Sequence, residues 1–207
     1  MTTTQTYSSD VAFTPAVKAI QTRKGSRSGY AHMEDTGGWR TEIDEALAAF
    51  ISEQTSFFLA TATADGQPYI QHRGGPAGFI KILDKDTLAF ADYKGNRQYI
   101  TQGNLSENPK AYIFLIDYVN RRRIKIWGEA RVVEDDPALT DALMPKDYKA
   151  RPEQTIIFRI AAWDSNCPQH IPLRFDAADV AAAIAARDAR IAELEGEVAL
   201  LKKTSEN

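Results

Sequence analysis

Apolar residues in the first quarter of the chain recur with the spacing of helices. The stretch Pro15–Lys24 follows a threonine and precedes a glycine, and these are favoured neighbours of a helix start and a helix end. A second helix is predicted over residues 43–51, where apolar side chains share one face after a segment, Thr41–Asp44, with the form of a capping box. Residues 25–39 between the two are predicted to form a loop.

From Ser56 the pattern changes to that of β-strands, with short apolar and β-branched runs separated by turn residues. The Asp65-Gly66 turn predicts a hairpin between the first two strands. The predicted strands are Phe57–Ala64, Gln67–His72, Phe79–Leu83, Thr87–Asp92, Lys110–Asp117, Arg122–Glu134 and Gln154–Asp164, with helical segments within Gly95–Asn108 and Pro137–Leu143. Sequential strands joined by short turns pair antiparallel, so we expect a mainly β fold with flanking helices whose antiparallel sheet closes as a barrel.

The two ends of the chain differ from this central part. The polar composition of Met1–Asp10 predicts a mobile tail. A long helix is predicted over Ala177–Lys203, where the apolar residues Val180, Ile184, Ile191, Leu194, Val198 and Leu201 follow a heptad seam. Such a helix either lies on its own sheet or pairs with another helix, and the narrow stripe favours pairing. We therefore expect residues 1–55 to supply a tail and helices that pack on the barrel, 56–175 the barrel, and 176–207 the C-terminal helix.

Composition narrows the functional class. The chain has 207 residues with 10% aromatic residues and a net charge of -3, and its acidic and basic residues are interspersed, which argues for one core domain and against a nucleic-acid partner. The single cysteine, Cys167, excludes an intrachain disulfide. With no signal-like start and no apolar run near the length of a membrane span, we expect a cytoplasmic protein with no membrane partner.

Two basic clusters have the composition of anion-binding loops. In Gln71–Phe79, an arginine precedes three glycines, whose missing side chains let a phosphate approach the backbone. In Asp92–Arg97, two basic residues stand before a predicted helix, whose N-terminus attracts anions. A wide turn and an ordinary capped helix are the alternative interpretations of these two segments.

Two further segments carry weaker signals. The Arg121–Arg123 run enters a strand, so alternation sends Arg122 to the face opposite its two neighbours. The segment Asp164–Pro172 is predicted to be an irregular loop that holds Cys167 and His170. No orienting third residue is evident beside this pair, so a catalytic cysteine is not expected. The three scattered histidines and one cysteine also predict no metal site.

Taken in order, several separated motifs resemble the pyridoxamine 5'-phosphate oxidase-like family of FMN-binding proteins. The resemblance runs through Phe13-Thr14-Pro15, Phe58–Ala62, Gln71–Phe79, Gly95-Asn96-Arg97, Gly103-Asn104-Leu105, Asn108-Pro109, Arg123–Gly128 and Asn166–Pro172. It implies an antiparallel split β-barrel and a homodimer with FMN bound at the subunit interface.

The resemblance also implies roles for individual residues. Arg73 and Lys81 resemble the family's basic residues near the FMN phosphate and ring, and Asn96-Arg97 resembles its Ser-Arg pair at the phosphate. Arg123 stands where the oxidase has a glutamine from the partner subunit, and Gln98 stands where it has a lysine. The full set of predicted cofactor-binding residues is Arg73, Gly75, Phe79, Lys81, Asp92, Asn96, Arg97, Gln98, Arg123 and Gln169.

The family resemblance predicts an FMN-dependent oxidoreductase that acts on a small molecule or takes electrons from a small donor. The oxidase itself ends in a segment that bears tryptophan and arginine, whereas this chain has the Asn166–Pro172 loop and a long helix, so pyridoxamine phosphate is not the expected substrate. No catalytic residue is assigned, because the flavin ring carries the electrons. A deazaflavin cofactor and a non-redox module that holds flavin or haem are the alternatives.

Overall fold

A computed structural model describes residues 6–205 of the chain, and these residues divide into two units. The first unit contains the described residues up to Ile116 together with Arg123–Cys167. The second contains Asp117–Arg122 and the described residues from Pro168 onward.

Six α-helices and seven β-strands make up the described part of the chain. They are α1 (Pro15–Lys24), α2 (Arg27–Asp35), α3 (Glu45–Glu53), β1 (Ser56–Ala62), β2 (Pro68–Gly74), β3 (Lys81–Ile82), β4 (Thr87–Tyr93), α4 (Ile100–Glu107), β5 (Lys110–Asp117), β6 (Arg122–Val133), α5 (Pro137–Leu143), β7 (Pro152–Asn166) and α6 (Ala177–Ser205). The predicted mainly β fold with a long C-terminal helix is confirmed.

The strands form one antiparallel sheet in the order β2-β1-β5-β6-β7-β4-β3. The predicted hairpin joins β1 to β2 through a turn in which Gly66 has φ +95, a conformation that glycine adopts without strain. The expected closure into a barrel was wrong, because β2 and β3 are two edges that do not hydrogen-bond to each other. The sheet is split at this point.

The core of the first unit lies inside the curvature of this sheet. Phe57 on β1 meets Phe90 on β4 edge to face, with ring centroids 5.0 Å apart, although several strands separate β1 from β4 along the sheet. Leu47 and Ile51 of α3 are buried in the same cluster. The Asp44 side chain accepts from the backbone amide of Leu47, so α3 begins one residue after the predicted capping segment.

Three local predictions need correction. Residues 25–39 are not a loop throughout, because α2 occupies the middle of this range. Ser8–Val11 form a 3-10 turn and Ser9 is fully buried, so the tail predicted over Met1–Asp10 does not describe its last residues, while residues 1–5 lie outside the described part. Helix α4 begins at Ile100 and not beside Asn96-Arg97, which stand in the preceding connection.

The second unit consists of the β5–β6 turn and the C-terminal segment. In the turn, the Asn120 side chain donates to Asp117 at 2.7 Å, and the Arg174 guanidinium lies 4.1 Å from the centre of the Tyr118 ring. No residue of α6 is buried. Across residues 6–205, every helix is too short or too polar to cross a bilayer.

Candidate functional site

Side chains from β2, β4, the start of β7 and the β4–α4 connection line one crevice of the first unit. On β2, alternation places Tyr69, Gln71 and Arg73 on the same face of the strand, and all three line the crevice. Asp92 lies near the end of β4 and pairs across the sheet with Gln154 of β7. The crevice therefore lies where the split brings the β2 edge near the other end of the sheet.

A buried ion pair joins the two sides of this split. The Arg73 guanidinium donates to Asp92 Oδ1, and the two side chains are 14% and 11% exposed. The second oxygen of Asp92 accepts from Gln154 Nε2 at 2.9 Å. Both carboxylate oxygens are thus satisfied, and they fix the orientation of the guanidinium.

The Arg73 side chain is itself not fully paired. Its Nε is buried and has no hydrogen-bond partner among the described residues. Buried donors are nearly always satisfied, and one that is not is a place where a water or a ligand oxygen is expected.

The β4–α4 connection is held in an unusual backbone conformation. Arg97 and Tyr99 have φ values of 61 and 54, which lie in the left-handed region that non-glycine residues rarely adopt. The amide of Gln98 donates to Asn96 Oδ1 at 3.1 Å, which stabilises the turn. Strained segments of this kind concentrate at ligand sites.

Polar side chains in this connection form a chain of hydrogen bonds. Arg97 Nε donates to the Tyr99 hydroxyl at 3.3 Å, and that hydroxyl donates to Glu153 Oε1 at 2.9 Å. The bond to Tyr99 raises the pKa of the Arg97 guanidinium above its ordinary value, so its charge is retained at any working pH. Arg97 is exposed, so it can reorient toward a ligand.

The first turn of α4 also faces the crevice. Its N-cap residue, Tyr99, provides no side-chain cap, and Ile100, Thr101 and Gln102 line the crevice wall. The Thr101 hydroxyl donates to Gln71 Oε1 at 3.0 Å and ties the helix start to β2. An uncapped helix start presents backbone amides and a partial positive charge to an anion.

Taken together, these groups suit a phosphate better than an apolar ligand. Two arginines and the start of α4 supply positive charge and donors, and Asp92 holds the Arg73 side chain in place. The unpaired Nε of Arg73 is a buried donor that a phosphate oxygen can satisfy. The residues present therefore fit the phosphate group of a nucleotide-type cofactor.

Half of the predicted cofactor-binding residues line this crevice, namely Arg73, Asp92, Asn96, Arg97 and Gln98. Gly75, Phe79, Lys81 and Arg123 are in the same unit but do not line it, and Gln169 is an exposed residue of the second unit. The assignment of all ten to cofactor binding remains a prediction.

The glycine-rich loop after β2 has a packing role. A Cβ at Gly75 would stand 2.7 Å from the Phe79 ring, so a larger residue would displace that ring. Phe79 is 2% exposed and stacks on Phe57 in the core. The missing side chain of Gly75 thus makes room for the Phe79 ring, a core side chain of the same loop.

Arg123 belongs to a second polar cluster on β6. It pairs across the sheet with Asn166, and Arg123 Nε and Asn166 Oδ1 are both buried without a hydrogen-bond partner among residues 6–205. Beside them, Lys125 forms a 3.0 Å ion pair with Asp164. Burial, assisted by Asp164, raises the pKa of the Tyr112 phenol to about 12, so this hydroxyl is protonated at neutral pH.

Several crevice residues were absent from the predicted set. Tyr69 and Gln71 could have been found from strand alternation, because they stand four and two positions before Arg73, respectively. Gln154 could not, because it reaches Asp92 only through the pairing of β4 with β7, 62 residues apart along the chain. Tyr99 and Glu153 meet through the same long-range pairing.

A larger open cleft of about 910 Å³ exists on the same unit, with Tyr112, Trp127 and Arg159 among its lining residues. None of the predicted cofactor-binding residues lines it, which is why the crevice at Arg73 is the candidate site. Within residues 6–205, no group of three or more His, Cys, Asp or Glu side chains is placed to hold a metal ion. Cys167 is a free, exposed thiol.

Comparison with known proteins identifies distant relatives. The chain is 28% identical over 137 residues to the pyridoxine/pyridoxamine 5'-phosphate oxidase of Aliarcobacter butzleri, covering 66% of the chain and 56% of that protein. It is 25% identical over 158 residues to the enzyme of the same name from Photobacterium profundum, covering 76% of the chain and 67% of that protein. The chain thus spans little more than half the length of the first of these relatives.

A solved structure of HupZ from Group A Streptococcus is similar with a TM-score of 0.47 and 17% identity, covering 64% of the chain and 99% of that protein. Likeness at this level has no bearing on function. The family model described as pyridoxamine 5'-phosphate oxidase matches residues 43–167, a range that runs from the residues before α3 to the end of β7 and includes the whole crevice. This match extends over more than half of the sequence, and the chain therefore belongs to the pyridoxamine 5'-phosphate oxidase family.

Proposed function

We propose that this protein binds FMN with the phosphate in the Arg73 crevice and uses it to oxidise or reduce a small molecule. One observation carries the proposal: in a member of this family, a largely buried arginine is paired with Asp92, which Gln154 holds in turn, and it still has an unpaired buried donor. Arginine recognises phosphate by parallel hydrogen bonds from its planar group, and a guanidinium that is already oriented loses less entropy on binding.

The surroundings of Arg73 support a doubly charged phosphate. Asp92 cancels the charge of Arg73, so an incoming dianion needs further positive groups. Arg97 and the uncapped first turn of α4 provide them, and Asn96 and Gln98 add polar side chains at the crevice wall. The phosphate end of FMN is therefore assigned to this crevice.

The remaining predicted residues support a site shared by two copies of the chain. Lys81 and Arg123 lie outside the crevice, and Arg123 carries a buried donor without a partner. We propose that a homodimer brings the Arg123 side chain of one copy to the flavin of the other. Gln169, an exposed residue of the second unit, stays a predicted cofactor-binding residue.

The isoalloxazine ring supplies the redox chemistry when FMN is bound. The residues of this chain bind and orient the cofactor, and arginine charge near the ring tunes its affinity for electrons. The substrate is proposed to be a small molecule other than pyridoxamine phosphate, because a 29-residue helix follows the short segment after β7 in place of the oxidase's substrate segment.

The visible absorption spectrum of the purified protein tests this proposal. We expect flavin bands, either at once or after incubation with FMN and removal of the free cofactor, and loss of those bands on reduction with dithionite followed by recovery in air. A colourless protein that stays colourless with FMN contradicts the proposal. A Soret band indicates haem, a deazaflavin spectrum indicates that cofactor, and bound FMN that no donor or acceptor turns over indicates a non-redox module.

The Arg73→Gln variant tests the crevice itself. Loss of a charged, preoriented donor should weaken FMN binding by roughly 100-fold, the equivalent of one strong charge-assisted contact. The matched control is Arg131→Gln, which removes an exposed arginine from β6 of the same sheet. Fluorescence titration of FMN measures both, and equal affinities for the two variants would place the phosphate elsewhere.

A further inference from the structure

The C-terminal helix α6 presents an apolar stripe that nothing in the described chain covers. It is 29 residues long, about 43 Å at 1.5 Å per residue, and every one of its residues is exposed. Val180, Ile184, Ile191, Leu194, Val198 and Leu201 are between 43% and 69% exposed. A helix of this length is stabilised mainly by packing of such a face, so the stripe requires a partner.

The spacing of the stripe identifies the kind of partner. Its residues are separated by four, seven, three, four and three positions, which is the heptad pattern of a coiled coil with one seam position, between Ile184 and Ile191, not apolar. Ile184, Ile191 and Val198 occupy the a positions, and Leu194 and Leu201 occupy d positions. A β-branched residue at a with leucine at d favours two parallel strands. We propose that α6 of one chain pairs with α6 of a second copy in a parallel, in-register, two-stranded coiled coil.

Charges beside the stripe complement each other in this arrangement. In a parallel dimer a g residue faces the e residue five positions later on the other helix. Arg190 then faces Glu195 of the partner subunit, and Glu197 faces Lys202 of the partner subunit, so symmetry gives four attractive pairs. An antiparallel pair with the same layers aligned gives an attractive Arg190–Glu197 contact but sets Asp188 against Glu195. The parallel dimer is therefore the better match.

One polar residue interrupts the stripe and fixes its register. Arg187 occupies the d position between Ile184 and Ile191. In register, the two Arg187 side chains share one layer and each lies beside Asp188 of the partner subunit, whereas a shift by one heptad would set Arg187 against leucine. A single polar residue in a seam commonly specifies alignment at some expense of stability.

Disulfide trapping in the full chain tests both pairing and direction. In a Cys167→Ser background, which removes the free thiol, Leu201→Cys places a cysteine at the last d position and Ala199→Cys places one on the outer face. We expect the Leu201→Cys protein to form a covalent dimer under mild oxidation at least tenfold faster than the Ala199→Cys control. In the antiparallel pair, position 201 lies opposite 184, so the two introduced cysteines would be about 25 Å apart.

Three results would overturn the proposal. Equal rates for the two variants would mean random collision, and no cross-link at position 201 would mean that α6 packs elsewhere, including on its own chain. A faster cross-link between Leu201→Cys and Ile184→Cys chains than between two Leu201→Cys chains would mean antiparallel pairing.

Charge reversal provides a second measurement with the same readout. Arg190→Glu should slow cross-linking at position 201 about fivefold, because it turns two attractive pairs into repulsive ones. Adding Glu195→Arg should restore the rate. Restoration by Glu197→Arg in its place would again indicate the antiparallel pair and contradict the proposal. Because none of these residues lines the FMN crevice, failure here is distinguishable from failure of FMN binding.

Discussion

The first unit contains two buried pairs of arginine and carboxylate, and they differ in how completely they are satisfied. One pair is Arg27 with Glu34 in the N-terminal helices, and the other is Arg73 with Asp92 in the crevice. Both carboxylates are almost fully buried. Only the second pair includes a buried donor without a partner.

The Glu34 cluster is closed. One carboxylate oxygen accepts from the Ser9 hydroxyl at 2.9 Å and lies 3.5 Å from Lys18 Nζ, and the other accepts from Arg27. Arg27 also donates to Gln21 at 2.8 Å. These contacts join Ser9 to the first two helices, and no side-chain atom of the cluster is buried without a hydrogen-bond partner among the described residues.

The Asp92 cluster is open on one side. Gln154 and Arg73 satisfy the carboxylate, but Arg73 Nε remains unpaired and the crevice runs past it. We propose that the incompletely paired arginine at Asp92 marks a ligand site, whereas the fully paired contacts at Glu34 join the N-terminal helices.

Removing the carboxylate of the closed cluster should have the largest effect on stability. Glu34→Ala leaves Arg27, Lys18 and Ser9 without their shared partner. We expect the free energy of unfolding to fall by about 3 kcal/mol. This value is at the lower end for a broken buried ion pair, because Arg27 and Lys18 are partly exposed. For a chain of this size that corresponds to a fall in Tm of roughly 6–12 °C. Urea and thermal unfolding measure it.

The control for this prediction is Glu53→Ala, which removes an exposed glutamate at the end of α3. It should change the unfolding free energy by less than about 0.5 kcal/mol. If the two variants are equally stable, the Glu34 cluster does not hold the N-terminal helices together. The claim that the Glu34 pair is structural, in contrast to the Asp92 pair, would then be wrong.

Local patterns predicted most of the sheet and missed the closed cluster. The hairpin of β1 and β2 follows from alternation and an Asp-Gly turn, both visible over a few residues. Helix α2 is only nine residues long, is polar overall and includes Gly29, and its arginine and glutamate are held by contacts to α1 and the N-terminal turn. Polar residues that bury one another, as Ser9 and Glu34 do, leave no hydrophobic signal.

The crevice was predictable in part for the same reason. Arg73 and Arg97 stand out as basic residues beside glycines, but their relation depends on the curvature of a split sheet. The backbone at Arg97 and Tyr99 is left-handed, and neither residue type indicates this. As a result the helix start was predicted at Asn96-Arg97, before its actual position at Ile100.

If the crevice holds the phosphate of FMN, added FMN should stabilise the Glu34→Ala variant more than the Arg73→Gln variant. At an FMN concentration 100 times the wild-type Kd, wild type and Glu34→Ala should each gain about 2.7 kcal/mol, a rise in Tm of roughly 5–10 °C. Arg73→Gln, with roughly 100-fold weaker binding, should gain only about 0.4 kcal/mol. Differential scanning fluorimetry with and without FMN compares the three increments. If FMN raises the Tm of Arg73→Gln as much as that of wild type, Arg73 does not bind the phosphate, and the proposed difference between the two ion pairs is wrong.

The smallest expected effect is a change in unfolding free energy with pH, which tests whether the charge of Glu34 or only its packing stabilises the Glu34 cluster. Burial by itself raises the pKa of Glu34, but hydrogen bonds from Arg27 and Ser9 together with the Lys18 charge outweigh it and hold the pKa below its ordinary value. A carboxyl with a lowered folded-state pKa stabilises the fold above its unfolded-state pKa of about 4.3, and this contribution disappears as pH falls through the folded-state pKa.

The comparison of wild type with Glu34→Gln, which keeps the shape and removes the charge, isolates this contribution. The deficit of the variant should be largest near pH 7 and should narrow as the pH falls through about 4.3, because the carboxyl of the unfolded wild-type chain then takes up a proton more readily than the folded one. Urea midpoints at each pH measure it, with Glu53→Gln as the control for an exposed carboxyl. A deficit that stays constant down to pH 3 would mean that geometry, and not charge, holds the closed cluster. The two buried pairs would then differ in packing alone.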